Sequence, residues 1–145
     1  IEGALAPALA AGARLLPMYA ASQTLEAAAD CADALYAPLS YDIALMGMGD
    51  DGHTASWFPG IFGLGALLDP RTPRAVLAVE AAHATGSTER LTLTRAALMR
   101  SKELLMVITG EAKRARLERA LMLQNAPVAA LFSDGMPPIE VLWAA

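Results

Sequence analysis

Apolar and polar residues follow one another along this chain in blocks that switch between strand-like and helix-like spacing. Continuous short apolar runs predict strands, and apolar positions that recur every three or four residues predict helices. The predicted strands cover residues 14–19, 43–46, 75–81, 91–93, 104–108 and 139–143. The predicted helices cover residues 1–12, 25–39, 95–100 and 111–123, and residues 128–132 form a short helix or a loop.

Side chains that cap or interrupt these elements set their boundaries. Ser22, Gln23 or Thr24 is expected to cap the second helix, and Pro38 ends it. Thr94 is expected to cap the following one. Residues 58–73 are rich in glycine and proline and are predicted to be irregular, and residues 83–89 form a polar loop.

Strands that alternate with helices favour one architecture. The pattern predicts an α/β domain over residues 1–145, with a mostly parallel, Rossmann-like sheet and helices on both of its faces. The run at 43–46 is expected to be a buried central strand. No internal repeat or linker indicates a second domain.

Composition excludes several functional classes. Hydrophobic residues make up 55% of the 145 residues and charged residues 18%, which is typical of a folded core. The net charge of −4 and the lack of a basic face disfavour nucleic-acid binding. The single cysteine, Cys31, cannot form an intrachain disulfide or a zinc site and is expected to be buried. No apolar run has the length of a membrane span, and a cytoplasmic location is expected.

The candidate chemistry is concentrated directly after the strand at 43–46. Glycine-rich turns at the carboxyl ends of α/β strands are where ligands bind. Here such a turn carries Asp51 and His53, two residues apart, so that a shared hydrogen bond can fix the imidazole tautomer. A histidine in that setting suits proton transfer. Asp50 is interpreted as a turn residue that bonds its own backbone.

Three further polar residues are candidates for a role in the site. Arg90, after a polar loop, is suited to holding a phosphate or else is a solvated arginine paired with Glu89. Lys113 lies in the first turn of a helix, where a cation is unfavourable unless an anion is near. The alternative for Lys113 is a surface lysine paired with a glutamate of the same helix. His83, in the polar loop, is expected to be exposed.

These residues carry a resemblance to a known family. Residues 45–60 resemble the signature of the 6-phosphogluconolactonase family, Gly-Met-Gly-x-Asp-Gly-His-Thr-Ala-Ser ending in Phe-Pro-Gly, with Trp57 where many members have leucine. The segments at 90–94, 107–113 and 139–143 are also similar to segments of that family. The family's upstream phosphate-cradling Gly-Gly-Ser/Thr turn does not occur here, so the chain resembles the C-terminal part of such a domain.

The resemblance implies hydrolysis of 6-phosphoglucono-δ-lactone in the oxidative pentose phosphate pathway, with no metal or cofactor. It implies that His53 is the general base and that Asp51 orients it. Further substrate-binding positions are expected: Gly49 and Gly52 through backbone N–H groups at the oxyanion, and Arg90 and Lys113 at the phosphate. Thr54 is expected either to satisfy the backbone or to bind substrate hydroxyls. The only expected partner is a phosphorylated sugar lactone, with no nucleic acid and no membrane.

Two alternatives stay open at the level of sequence. A glucosamine-6-phosphate deaminase-like isomerase resembles the same family and has a related Asp-Gly-His turn, with a carboxylate five residues after the histidine. Phe58 stands at that position here, which ranks the isomerase below the lactonase. The second alternative is a non-catalytic fragment that binds sugar phosphates.

Overall fold

The structure is a computed structural model that describes residues 2–22 and 24–145. Within these described residues there are five α-helices and one 3₁₀ helix: α1 Glu2–Ala10, α2 Leu25–Tyr36, α3 Leu64–Leu68, α4 Arg95–Leu98, α5 Glu111–Leu123 and the 3₁₀ helix Pro127–Phe132. The same part of the chain contains five strands: β1 Tyr41–Gly47, β2 Val76–Glu80, β3 Glu89–Leu93, β4 Ser101–Thr109 and β5 Ile139–Ala144. All but one of the predicted strands are therefore present, with shifts of a few residues at their ends.

Two of the predicted helix caps are confirmed. The Thr24 hydroxyl accepts a hydrogen bond from the Ala27 N–H, and Thr94 accepts one from the Ala97 N–H. Each satisfies a donor that the first turn of a helix leaves unpaired. Gln23, the other residue considered at the first cap, lies outside the described residues. Helix α2 ends at Tyr36, before Pro38.

The strands form two separate sheets. Strands β1, β4 and β5 form a parallel sheet in the order β1-β4-β5, so the α/β class with a parallel sheet is confirmed. Strands β2 and β3 form an antiparallel pair beside it, which the sequence pattern did not predict. In the parallel sheet β4 is central and β1 lies at an edge, which corrects the expected central position of β1.

The two faces of the parallel sheet have different surroundings. On one face Leu104, Met106 and Ile108 of β4 are buried in the main core with Leu117 and Ala120 of α5. On the other face Ile43 and Leu45 of β1 are 55% and 71% exposed, next to the exposed Val107. The expectation that β1 is fully buried is therefore wrong, because an apolar run shows that both faces are apolar but not that both are covered.

Three further expectations from the sequence are corrected. Residues 14–19 form no strand, consistent with the missing N–H donor of Pro17. The segment 58–73 contains the short helix α3, because the burial of Leu67 in the core outweighs the local glycine and proline signals. Cys31 is exposed, since the buried face of α2 is formed by Ala28, Ala29 and Ala32.

The helices of the structure are too short or too polar to cross a lipid bilayer in the part of the chain that it describes. Across residues 2–22 and 24–145, none combines the length and the apolar character that a membrane span requires.

Candidate active site

The candidate site is the turn that follows β1, at the carboxyl edge of the parallel sheet. Strand β1 ends at Gly47, and its neighbour β4 ends at Thr109, just before α5 begins. Because parallel strands end at the same edge, the turn at residues 48–53 and the first turn of α5 come together there. This brings Lys113 to the turn that carries His53.

Asp51 and His53 form a close pair within this turn. His53 Nδ1 lies 2.6 Å from Asp51 Oδ1, and the backbone N–H of His53 donates to the same oxygen at 3.0 Å. Partial burial favours the protonated form of Asp51, but the hydrogen bonds from His53 outweigh it, and the pKa of Asp51 lies below its usual range. The carboxylate is therefore ionised and only accepts, so in the neutral form of the imidazole Nδ1 carries the proton and Nε2 has the free lone pair.

The backbone of the turn is closed by its own hydrogen bonds. Gly49 N–H donates to His53 O at 2.9 Å, and Gly52 N–H donates to Gly49 O at 2.9 Å. Both groups were expected to bind a developing oxyanion. Their donors are already engaged inside the turn, so this geometry does not support that role.

Steric space gives the two glycines another role. A Cβ on Gly49 would lie 2.1 Å from His53 Cε1 and 2.2 Å from Nδ1, so the imidazole occupies the place of the missing side chain. A Cβ on Gly52, which has φ of +86°, would lie 2.7 Å from the Ala126 Cβ. Both glycines let other groups approach the turn closely.

The structure favours one of the two roles expected for Thr54. Its side chain is completely buried, and its hydroxyl donates to Gly47 O at 2.8 Å. A hydroxyl that is buried and engaged cannot reach a substrate, so the structure favours a role in fixing the turn to the end of β1 in place of the predicted substrate contact.

The segment after the turn is anchored on β3. The backbone N–H of Ser56 donates to the Thr92 hydroxyl at 3.1 Å, and the buried Trp57 indole donates to Leu93 O at 2.8 Å. Phe58 follows, and its ring lies 4.2 Å from the His53 ring, centroid to centroid, with an interplanar angle of 35°. The antiparallel pair β2–β3 therefore supports one side of the imidazole.

Arg90 reaches the site through Phe58. Its guanidinium carbon lies 5.5 Å from the centre of the Phe58 ring, so Arg90 and His53 contact the same aromatic ring. The guanidinium also donates to the carbonyl oxygens of Ser87 and Thr85 in its own loop. Arg90 enters from the start of β3, in the antiparallel pair rather than in the parallel sheet.

Lys113 has an anionic neighbour within the protein. Its Nζ lies 3.8 Å from Asp50 Oδ1, and the Asp50 side chain is 90% exposed. The sequence predicted an anion near Lys113, because a cation is unfavourable at the start of a helix. Asp50, interpreted from the sequence only as a turn residue, partly supplies that anion. His83 lies in the exposed loop that was predicted for it.

Two contacts to the site were missed in the sequence. Arg116 donates to the Asp51 carbonyl at 2.9 Å, and Phe58 packs on His53 as described. A signal for Arg116 was available, since it lies three residues after Lys113 and residues at that spacing share a helix face. The packing of Phe58 depends on β3 and has no local signal.

Comparison with known proteins shows the family of the chain that contains this site. Residues 2–143 match the family model described as glucosamine-6-phosphate isomerases/6-phosphogluconolactonase. The chain belongs to this family. Proteins similar to it include the 6-phosphogluconolactonase of Rhizobium meliloti strain 1021, which is 40% identical over 142 residues, and that of Pseudomonas aeruginosa PAO1, which is 39% identical over 139 residues.

These relatives are longer than the chain. The alignments cover 93% of this chain and 60% of the Rhizobium protein, and 92% of this chain and 56% of the Pseudomonas protein. Among solved structures of the family, the chain is similar to a 6-phosphogluconolactonase from Shewanella baltica OS155. The TM-score is 0.82 at 28% identity, and the match covers 94% of this chain and 59% of that one.

Proposed function

We propose that the protein hydrolyses 6-phosphoglucono-δ-lactone to 6-phosphogluconate, with His53 as the general base. The observation that carries this proposal is the Asp51–His53 pair, with a 2.6 Å contact at Nδ1. The contact leaves Nε2 of a partly exposed ring free to take a proton. Family membership and relatives named 6-phosphogluconolactonase supply the substrate class.

The proposed reaction needs one base and one water molecule. His53 Nε2 takes a proton from water as the water oxygen attacks the lactone carbonyl. The tetrahedral intermediate then breaks its bond to the ring oxygen, and the protonated His53 returns the proton to that oxygen. Asp51 holds the imidazole in the Nδ1–H tautomer and stabilises its charged form between these steps. The ring opens, and the product is the open-chain acid.

Lys113 and Arg90 are the proposed phosphate contacts. Lys113 is partly exposed at the edge of the turn, and its ion pair with Asp50 is of the exposed kind that contributes about 0–1 kcal/mol. A phosphate dianion can therefore displace the Asp50 carboxylate. Arg90 is the weaker half of this proposal, because the loop carbonyls already accept from its guanidinium. The cytoplasmic location expected from the sequence stays a prediction.

The isomerase alternative is less well supported. The isomerase requires a carboxylate at the position of Phe58. The centre of the Phe58 ring lies 4.2 Å from the centre of the His53 ring. An apolar ring accepts no proton and cannot polarise the imidazole.

A direct assay separates these functions. We expect the purified protein to accelerate hydrolysis of 6-phosphoglucono-δ-lactone above its spontaneous rate, in proportion to protein concentration. Ammonia release from glucosamine-6-phosphate would support the isomerase instead. Binding of 6-phosphogluconate without any acceleration would support the non-catalytic reading and overturn the proposal.

Replacing Lys113 by alanine tests phosphate recognition. We expect KM for the phosphorylated lactone to rise about ten- to hundredfold, since a charged hydrogen bond contributes roughly 1.5–3 kcal/mol. KM for unphosphorylated gluconolactone should change little. The matched control is Lys102→Ala, because Lys102 is the other lysine and is paired with Asp42 on the sheet. An equal rise in KM for both lactones would remove Lys113 from the phosphate site.

Removal of metal ions is expected to leave activity unchanged. In the described part of the chain, no group of three or more His, Cys, Asp or Glu side chains is placed to hold a metal. We therefore expect turnover in EDTA to stay within about twofold of the untreated rate, since His53 needs no metal to act as a base. Loss of turnover that one defined metal restores would contradict this prediction.

A further inference from the structure

A side chain of the neighbouring helix α5 donates to the backbone of the turn that carries Asp51 and His53. Arg116 of α5 donates from Nη2 to the Asp51 carbonyl at 2.9 Å and from Nη1 to Asn125 Oδ1 at 3.2 Å. A planar guanidinium donates in two fixed directions at once, so these two contacts define its orientation. The carbonyl belongs to the same residue whose carboxylate binds His53.

The packing around Gly52 makes this contact specific. A Cβ on Gly52 would lie 2.9 Å from Arg116 Nη2, so the guanidinium lies in the space that glycine leaves open. Gly52 O in turn accepts from the Val128 N–H at 3.1 Å. The backbone between Asp51 and His53 is therefore held from α5 on one side and from the start of the 3₁₀ helix on the other.

We propose that Arg116 is a positioning residue for the Asp51–His53 pair. Its guanidinium fixes the Asp51 carbonyl, and this sets the direction of the Asp51 carboxylate toward His53 Nδ1. The inference rests on the proposed function, because it matters for catalysis only if His53 is the base. Arg116 itself has no role in proton transfer, and its effect is exerted through the geometry and tautomer of His53.

The test combines kinetics with a measurement that does not need activity. In Arg116→Met we expect kcat to fall about ten- to hundredfold with KM changed by less than about threefold, because small misplacements of a catalytic group cost rates of that size. In ¹⁵N-labelled protein at about pH 9, well above the ordinary histidine pKa of about 6.5, long-range ¹H–¹⁵N spectra report each tautomer. In the wild type, His53 should be in the Nδ1–H tautomer. In the variant, its spectrum should shift toward the mixture of the two tautomers that the exposed His83 shows.

Two further variants provide the controls. Arg119→Met removes the same charge from an exposed position of the same helix and should leave both kcat and the His53 tautomer at wild-type values. Asn125→Ala removes the second acceptor of Arg116, should shift both readouts in the same direction by a smaller amount, and provides the test if Arg116→Met does not fold. The inference is overturned if a folded Arg116→Met protein keeps the wild-type tautomer of His53, whatever its kcat. If Arg116→Met does not fold, the same result in Asn125→Ala overturns it. If the wild type shows no lactonase activity, the proposed function fails while the tautomer comparison still decides the role of Arg116.

Discussion

Replacing His53 by alanine is expected to lower kcat for 6-phosphoglucono-δ-lactone by about a hundred- to ten-thousandfold, the usual contribution of a positioned general base. The Nδ1 atom is held by Asp51 at 2.6 Å, and the opposite nitrogen has the free lone pair that the reaction needs. The protein should remain folded, because the His53 side chain is partly exposed and lies outside the hydrophobic core. Initial rates at saturating lactone, corrected for spontaneous hydrolysis, measure the effect, and circular dichroism checks the fold.

The matched control for this prediction is His83→Ala. His83 is the other histidine of the chain and lies in the exposed loop before β3, so its replacement should leave kcat within about twofold, as is usual for surface positions. A folded His53→Ala protein that turns over as fast as the His83 variant would show that another group is the base.

Most of the fold could be predicted from the sequence where local pattern and packing agree. Helix α5 was predicted with its observed bounds, Glu111–Leu123, and the strand pattern located β4 and β5. The burial of β1 could not be predicted, because the apolar run at 43–46 is compatible with any strand whose two faces are both apolar. The separate β2–β3 pair was missed for a related reason. Periodicity identifies a strand and not its partner.

The candidate site shows the same division between local and tertiary information. Asp51 and His53 could be paired from the sequence because they lie two residues apart in one turn. Lys113 could be located at the same edge because parallel strands end together. Phe58 could not be assigned, since its contact depends on how β3 packs against the turn. Arg116 had a weak signal, because it lies three residues after Lys113 on the same helix face, but its contact with the Asp51 carbonyl depends on how α5 packs. The two roles expected for Thr54 could not be separated from the sequence, and the structure favours the hydrogen bond to the backbone that fixes the turn.

Gly49 is the residue whose role the sequence described least well. A glycine after a strand suggests close approach of the backbone to a substrate. In the structure the space above Gly49 is filled by the His53 ring, and its N–H closes the turn by donating to His53 O. The glycine is therefore needed for the position of His53, the proposed general base, and this leads to the second of the two large expected effects.

Replacing Gly49 by alanine is expected to lower kcat by about a hundredfold or more, close to the loss on removing the base itself. The new Cβ would lie 2.1 Å and 2.2 Å from two atoms of the imidazole and 3.0 Å from Asp51 Oδ1. The imidazole must then turn away, which breaks its contact with Asp51, while the fold is retained because the ring lies at the surface of the turn. Steady-state kinetics, together with the His53 tautomer in ¹H–¹⁵N spectra, measure the effect.

Gly47→Ala is the control that separates this steric effect on His53 from a general failure of the segment to accept a side chain larger than that of glycine. Gly47 precedes Gly49 by two residues, and a Cβ built on it meets nothing within 4 Å. The two variants add the same methyl group to the same stretch of chain, and only the one at Gly49 meets the imidazole. We therefore expect Gly47→Ala to keep wild-type kcat and the Nδ1–H form of His53, and Gly49→Ala to lose both. Equal losses in the two variants would mean that the segment tolerates no side chain at all, and the displacement of His53 would then not be the cause.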